Sequence, residues 1–425
     1  ADSRNKADWI LGINASYAMC KATGLSNNSL GRVQTPVLAA ISRRYREREN
    51  HISSDSWPIY ISLQKDGILF KMRRTQDLPD KESATMFFQD CKLSHQAQIT
   101  GISHSVKEIL PPDLLDLTQL QKEANIRYGY TASEVYDIAQ SLYEKKLISY
   151  PRTSSRYLTE DVFDSLPPIM ARLLSWELFP AAKGTGGIDI SNLSRHVISA
   201  EKANVHHAII ITGIRPGNLS EKEMQVYRLV AGRMLETFMA PCRIETTNVE
   251  AVCAAQHFKA EQTRIIEAGW HDVFMRSDMV PKSGYSVNEL PEVEKGDNLN
   301  VCGCNMVHKK ELPVDPFTDA ELVEYMELNG LGTVSSRTNI IRTLVNRKYI
   351  RYSGKYIVPT PKGMFTYETI RGKKIADTSL TADWEKQLTG LESGMITGQD
   401  FLNRIRTLAK EMTDDIFNTY STKEE

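Results

Sequence analysis

The stretch of this chain richest in reactive side chains is Leu147-Ile148-Ser149-Tyr150-Pro151-Arg152-Thr153-Ser154-Ser155-Arg156-Tyr157. It sets a phenol beside two guanidinium groups and several hydroxyls. A free phenol has a pKa of about 10, so it is a poor nucleophile at neutral pH. A cation close by favours the phenolate and stabilises a charged phosphoryl transition state. Pro151 fixes the backbone directly after Tyr150. The string therefore suits attack by Tyr150 on a phosphate. Taken apart from the rest of the chain, it suits better a core tyrosine at a strand end with surface arginines, and spacing alone does not overturn that reading. His206-His207, further on, reads in the same way first as a pair of ordinary polar histidines, with working imidazoles as the alternative.

A second concentration of polar chemistry lies near the start. Gly31-Arg32-Val33-Gln34-Thr35-Pro36 precedes a helical stretch, Val37 to Arg48, that carries Arg43, Arg44, Arg46 and Arg48. Pro36 suits a first helical turn with Thr35 as N-cap. Such an arginine run is usually a solvated face, but here it adjoins Arg32 and Gln34, which suit phosphate and base contacts. Arg4 and Asp8 lie one helical turn apart and can pair. Among the 6 cysteines, Cys302 and Cys304 are the one close pair. That is too few thiolates for a four-thiolate zinc site, and the pattern fits reduced thiols.

With 425 residues, 41% hydrophobic and 25% charged, the chain can build two or more units with cores of their own. That mix excludes disorder, collagen and small disulfide scaffolds. Lys and Arg number 52 against 53 Asp and Glu, a net of -1. A uniformly basic coat is excluded, but local basic clefts are not. No apolar run approaches the roughly 18 residues of a membrane span, and the first residues carry no apolar leader.

The elements that must position these groups divide the chain. Residues 1–50 read as helical. Residues 51–112 turn strand-rich, with a hairpin across Lys65-Asp66-Gly67. Residues 113–240 are mostly helical. Thr131-Ala132-Ser133-Glu134 reads as a capping box ahead of the apolar stripe Val135, Ile138, Ala139 and Leu142. A small-residue loop is expected at Gly184 to Gly187. Residues 241–305 return to strand patterning, so both strand-rich parts are expected in one sheet interrupted by the helical insert. Residues 306–425 are helical again. Two helices joined at Gly330-Leu331-Gly332, then a hairpin over Tyr349 to Pro359, look like a winged-helix unit.

Further strings complete a pattern: Leu117-Thr118-Gln119-Leu120-Gln121-Lys122-Glu123-Ala124, His206-His207-Ala208-Ile209-Ile210-Ile211-Thr212, Gly330-Leu331-Gly332-Thr333 with Arg337, and Thr381-Ala382-Asp383-Trp384-Glu385. With the Tyr150 segment and the Gly31–Pro36 string, they resemble, in order and spacing, the motifs of type IA DNA topoisomerases, especially the topoisomerase III branch. The resemblance implies an α+β multidomain gate. A strand-rich arch in two parts (51–112 and 241–305) would hold a helical Tyr150 domain (113–240). A split helical base (1–50 and 306–425) would contain winged-helix-like units. Arch and base would enclose a hole wide enough for nucleic acid.

The same resemblance implies roles. Tyr150 would attack a DNA phosphate, forming a 5′-phosphotyrosyl link and releasing a 3′-hydroxyl. Arg152 would position the scissile phosphate, and His206 would belong to the active-site hydrogen-bond network. Arg4, Asp8, Arg32, Gln34, Thr35, Arg156 and Arg337 would contact DNA. The partners would be single-stranded and underwound duplex DNA, with a helicase as a further candidate, and no membrane. A monomer in the cytoplasm is expected. The chain departs from the family pattern at Ser154, usually Asp, and at Ile211, usually Pro. The family's Toprim domain, with its Asp-x-Asp-x-Glu cluster for Mg²⁺, finds no counterpart string. Mg²⁺ is therefore expected to bind outside this chain, none of whose residues is assigned to a metal, and this chain is expected not to act alone. A catalytically silent DNA-binding module built on the winged-helix-like unit, with Arg337, Arg342 and Arg347, is the rival reading. A tyrosine recombinase-like enzyme, joined instead to a 3′ phosphate, is another.

Overall fold

A computed structural model describes residues 2–421 apart from 27, 177, 180–187, 204–205, 275–281 and 394. The expected loop at Gly184 to Gly187 lies outside the described residues. The strands are β1 (Asp55–Ser56), β2 (Ile59–Lys65), β3 (Ile68–Arg74), β4 (Gln96–Ile109), β5 (Cys242–Cys253), β6 (Gln256–Glu267), β7 (Asn298–Met306), β8 (Lys309–Lys310), β9 (Ile350–Ser353) and β10 (Tyr356–Pro359).

The two strand-rich parts pair with one another, and the sheet closes on itself. Its order is β2-β3-β6-β5-β4-β7, and the one sheet expected of both strand-rich parts is a closed barrel. Ile59, Ile61 and Leu63 point inward while Tyr60, Ser62 and Gln64 alternate outward, the period of a half-buried strand. Phe70, Met72, Ile99, Val249, Ala251 and Phe258 complete the inner packing. The strand reading of 51–112 passes over the helix Lys81–Leu93, which Asp80 caps by accepting from the Ser83 N–H at 2.7 Å. This helix buries Ala84 and Cys91. The barrel has no free edge, which removes the hazard of an exposed strand.

Two antiparallel ribbons connect the barrel to the helical parts. β4 and β5 stay paired out to Ile109↔Cys242, where the helical insert begins and ends. Trp270 clamps this root by donating from Nε1 to the Ile109 carbonyl at 2.9 Å. Gly269 permits the turn: its φ is +51°, and a Cβ there would lie 2.3 Å from the Pro241 carbonyl oxygen. At the other side β1 pairs with β8, joining the chain's entry into the barrel to its exit.

The insert surrounds the helix Glu221–Phe238, buried on nearly all sides by Leu120, Ala139, Leu142, Met170 and Trp270 among others. In the base, Asp2–Thr23 packs along Gly398–Ser421 over Trp384 and Phe401. The helix Gln34–Glu49 begins earlier than the pattern suggests. Val33, not Thr35, precedes it, and Thr35 instead accepts the Gly31 N–H on Oγ1 at 2.9 Å. Helices Asp319–Leu328 and Val334–Asn346, with the β9–β10 hairpin, form the two-helix-and-wing unit around Leu322, Met326, Ile341 and Tyr349.

Candidate active site around Tyr150

The helix Ala132–Glu144 leads into the site. Its capping box is formed: Thr131 Oγ1 accepts from the Glu134 N–H at 3.2 Å, and Glu134 Oε2 from the Thr131 N–H at 2.9 Å. Ala132, Val135, Ala139 and Leu142 face the core. Tyr136, Gln140 and Tyr143, spaced i, i+4 and i+7, share another face. Lys146, at φ 60°, turns the chain, and the Leu147 N–H donates to the Leu142 carbonyl at 2.9 Å. Residues 147–149 then run extended against 209–212. Ile148 bridges Ile211, and the Ser149 N–H donates to the Ile210 carbonyl at 2.8 Å. The departure at Ile211 has a use here, because its N–H donates to Met234 Sδ at 3.2 Å, a contact that proline lacks.

This turn brings Tyr150 and His206 together. Their rings lie 4.4 Å apart, and the Tyr143 ring packs edge-on to Tyr150 at 5.4 Å. Thr153 Oγ1 donates to the His206 carbonyl at 2.9 Å, tying the histidine's backbone to the Tyr150 segment. Arg152 spans Gln140, donating from Nη2 to Oε1 at 3.2 Å, and its guanidinium sits 5.0 Å over the Tyr136 ring. Its Nε is buried with no hydrogen-bond partner among the described residues. An unpaired buried donor costs about 1–3 kcal/mol, so an anionic acceptor arriving here would be strongly favoured. Ser154, in the position usual for Asp, is exposed and adds no charge.

Arg156 and Arg337, both expected on DNA, converge on one helix start. Asp116, buried at 1% exposure, caps Leu117–Tyr128 by accepting from the Gln119 N–H at 2.7 Å. Arg156 Nε donates to its other oxygen at 2.7 Å. Burial pushes the Asp116 carboxyl above its ordinary range, against the pull of the Gln119 N–H and Arg156. Arg337 is buried too. It donates from Nη1 to Thr118 Oγ1 at 3.0 Å and to Glu327 Oε1 at 3.1 Å. Both cations thus join the Tyr150 part to its own helix or to the base. Arg342 reaches Asp137 at 2.8 Å and Arg347 reaches Gln34 at 2.9 Å, so the arginines of the rival reading are engaged internally.

The early motif is similarly knit. Arg32 is buried, pairs with Asp8 Oδ1 at 2.7 Å and lies 4.9 Å over Trp384. Gln34 receives Arg347, Thr35 is buried, and Arg4 is half-buried on the first helix. The arginine run splits by helical face. Arg44 and Arg48 pair with Glu321 and Asp315. Arg43 and Arg46 face a cavity of about 1180 Å³ that Arg371, Lys373 and Lys374 line from the other side. Arg46, Lys373 and Lys374 are countered by Glu368, Asp415 and Glu411. Arg43 and Arg371 are exposed and make no ion pair among the described residues.

Among the described residues no group of His, Cys, Asp and Glu is arranged to hold a metal ion. Among the described residues, the side chains against Tyr150 and Arg152 are Tyr143, His206, Gln140 and Tyr136, none a carboxylate, so these residues do not fit Mg²⁺ by themselves. Sequence reasoning missed Tyr136, Gln140 and Tyr143, and reads Asp116 as a helix cap but not as the partner of Arg156. The first three carried a legible signal, their shared face on a helix ending just before Tyr150. Asp116 carried only a capping signal.

The DNA topoisomerase family model matches residues 1–403. DNA topoisomerase 3 of Bacillus licheniformis is 30% identical over 441 residues, covering 98% of this chain and 60% of that protein. DNA topoisomerase 1 of Methanocaldococcus jannaschii is 31% identical over 430 residues, covering 100% of this chain and 54% of that protein. The chain thus spans little more than half the length of these relatives. Full-length topoisomerase I from Thermotoga maritima superposes with a TM-score of 0.73 at 23% identity, over 98% of this chain and 67% of that one, a likeness of fold. No helix among the described residues is long and apolar enough to cross a membrane. Motifs, fold and family match agree, and the chain belongs to the type IA DNA topoisomerase family.

Proposed function

We propose that this chain is the gate portion of an enzyme that cuts one DNA strand transiently, passes another through and reseals the cut. The observation that carries the reading is the setting of Tyr150. Its ring is held by His206 and Tyr143, next to an arginine whose Nε is buried without a partner. In the proposed step, Tyr150 Oη loses its proton and bonds to phosphorus while the bond from phosphorus to the 3′ oxygen breaks. The departing oxygen takes up a proton. The phosphotyrosyl ester conserves the bond energy, so the reverse attack by the 3′-hydroxyl reseals the strand. Arg152 pairs with the phosphate as its charge redistributes. Mg²⁺, which balances phosphate charge in such chemistry, is assigned to the part of the enzyme beyond this chain.

Single-stranded DNA is proposed to follow the cavity between Arg43 and Arg371, where exposed cations meet Tyr325 and Tyr367. The domain division stated from the sequence belongs to the same proposal, as do a monomeric state, a cytoplasmic location and a helicase partner. The test is a denaturing gel of the complete enzyme with end-labelled oligonucleotide. A covalent band linked through the 5′ phosphate is expected, and none with Tyr150→Phe, which keeps the ring but deletes the attacking oxygen. A band persisting in Tyr150→Phe, or a link through the 3′ phosphate, would overturn the assignment.

A further inference from the structure

The Tyr150 part and the base each have an apolar core, and between them polar bonds join the packing of Ala132 into the base and of Val334 against the Tyr150 part. Gln121 Nε2 donates to Thr338 Oγ1 at 2.9 Å, Lys122 pairs with Glu324 at 2.6 Å, and Arg337 holds both Thr118 and Glu327. The most distinctive contact is an exchange of helix caps. Asp319, at the start of Asp319–Leu328 in the base, accepts the Ala132 N–H on Oδ1 at 3.1 Å. Ala132 is the first residue of the helix leading to Tyr150. In return, Asn125 Oδ1 of the Tyr150 part accepts the Ala320 N–H at 3.4 Å. Asp319 also accepts from the wing through Tyr352 Oη at 3.1 Å. It is 2% exposed.

We propose that Asp319 is a positioning residue that latches the Tyr150 part onto the base, and that this latch tightens as the medium becomes acidic. The path to the site is short. The helix that Asp319 caps carries Tyr136 and Gln140, which hold Arg152, and Tyr143, which packs on Tyr150. A carboxylate at a helix start interacts favourably with the unpaired N–H groups and the helix dipole. Burial works against its charge, and the Asp319 carboxyl is pushed up to about 6. Glu134 faces it from the same helix and adds like charge, while Lys222 and Arg342 engage Glu134 and Asp137. On its own helix Glu321 is occupied by Thr318 and Arg44, and on the wing the Tyr352 phenol donates.

The sign follows. When the two parts separate, Asp319 meets water and returns to an ordinary carboxylate. The joined form binds the proton more tightly, so falling pH favours joining. Between pH 7.5 and pH 5 the joined-to-separated ratio should rise by about tenfold.

The inference rests on the proposed function for its link to catalysis, but its test does not need DNA. Amide hydrogen exchange of Ala132, whose N–H is the one Asp319 holds, reports separation directly, as a protection factor corrected for intrinsic exchange. Protection in the 425-residue chain should rise by about tenfold on going from pH 7.5 to pH 5. Asp319→Asn keeps an oxygen for Ala132 and should abolish that rise while folding normally. Asp319→Ala should lower protection at both values. A pH-independent protection in the parent, or an unchanged rise in Asp319→Asn, would overturn the latch. An intact exchange result with no oligonucleotide cleavage would instead count against the proposed function alone.

Discussion

Replacing Arg156 by alanine removes the one guanidinium that pairs with Asp116, whose side chain is 2% exposed while that of Arg156 is 34% exposed. Breaking a buried pair by deleting one partner costs about 3–5 kcal/mol, because the other charge stays behind unpaired. Water reaches the arginine side, which discounts the loss, and about 2–3 kcal/mol of stability is expected to go. The pH dependence follows from Asp116. Its carboxyl already lies above its ordinary value in the folded chain, so its ionisation opposes folding as pH rises. Without Arg156 it moves further up. The deficit of Arg156→Ala should therefore be largest near neutral pH and shrink as pH falls through the folded value, the carboxyl becoming neutral in both states only below the unfolded value. Urea unfolding at pH 7.5 and pH 5 measures this. Adding Asp116→Asn should recover much of the loss, since the amide oxygen still caps Gln119 without burying a charge. An unchanged urea midpoint for Arg156→Ala at pH 7.5, together with weakened DNA binding, would refute the structural role argued for this residue.

Arg152→Ala in the complete enzyme leaves the phenol in place but removes the cation, so residual cleavage slower by about 10²–10³ is expected in single-turnover assays. Single-stranded DNA binding by the chain should weaken steeply in a salt series. Arg43→Ala should lower the slope of log affinity against log salt by about 0.7, the share of one phosphate contact. A flat salt response would remove the cavity between Arg43 and Arg371 from the DNA path.

Local chemistry made several elements legible. The Thr131–Glu134 box, the apolar stripe behind it and the extended residues after Leu147 all depend on neighbours in sequence, so they stand where the pattern puts them. The juxtaposition of Tyr150 with His206 was readable only through motif order, because a loop and several helices separate them in the chain. The arginines show the limit most clearly. Arg32, Arg156 and Arg337 look like Arg43 in a sequence, yet the first three are bound to Asp8, Asp116 and Glu327. Nothing local announces those partners.

By itself, then, the sequence determined the helix that leads to Tyr150 and the alternation of strand faces, since each follows from backbone propensity and residues within a turn or two. Only the tertiary structure decided that two strand-rich parts close into one barrel and that Asp319 caps a helix in the other unit. It also decided which cations are left without an ion pair among the described residues. Those outcomes hinge on pairings between residues far apart in the chain. Such pairings are selected by burial and by the cost of leaving a buried charge or strand edge unpaired, not by spacing.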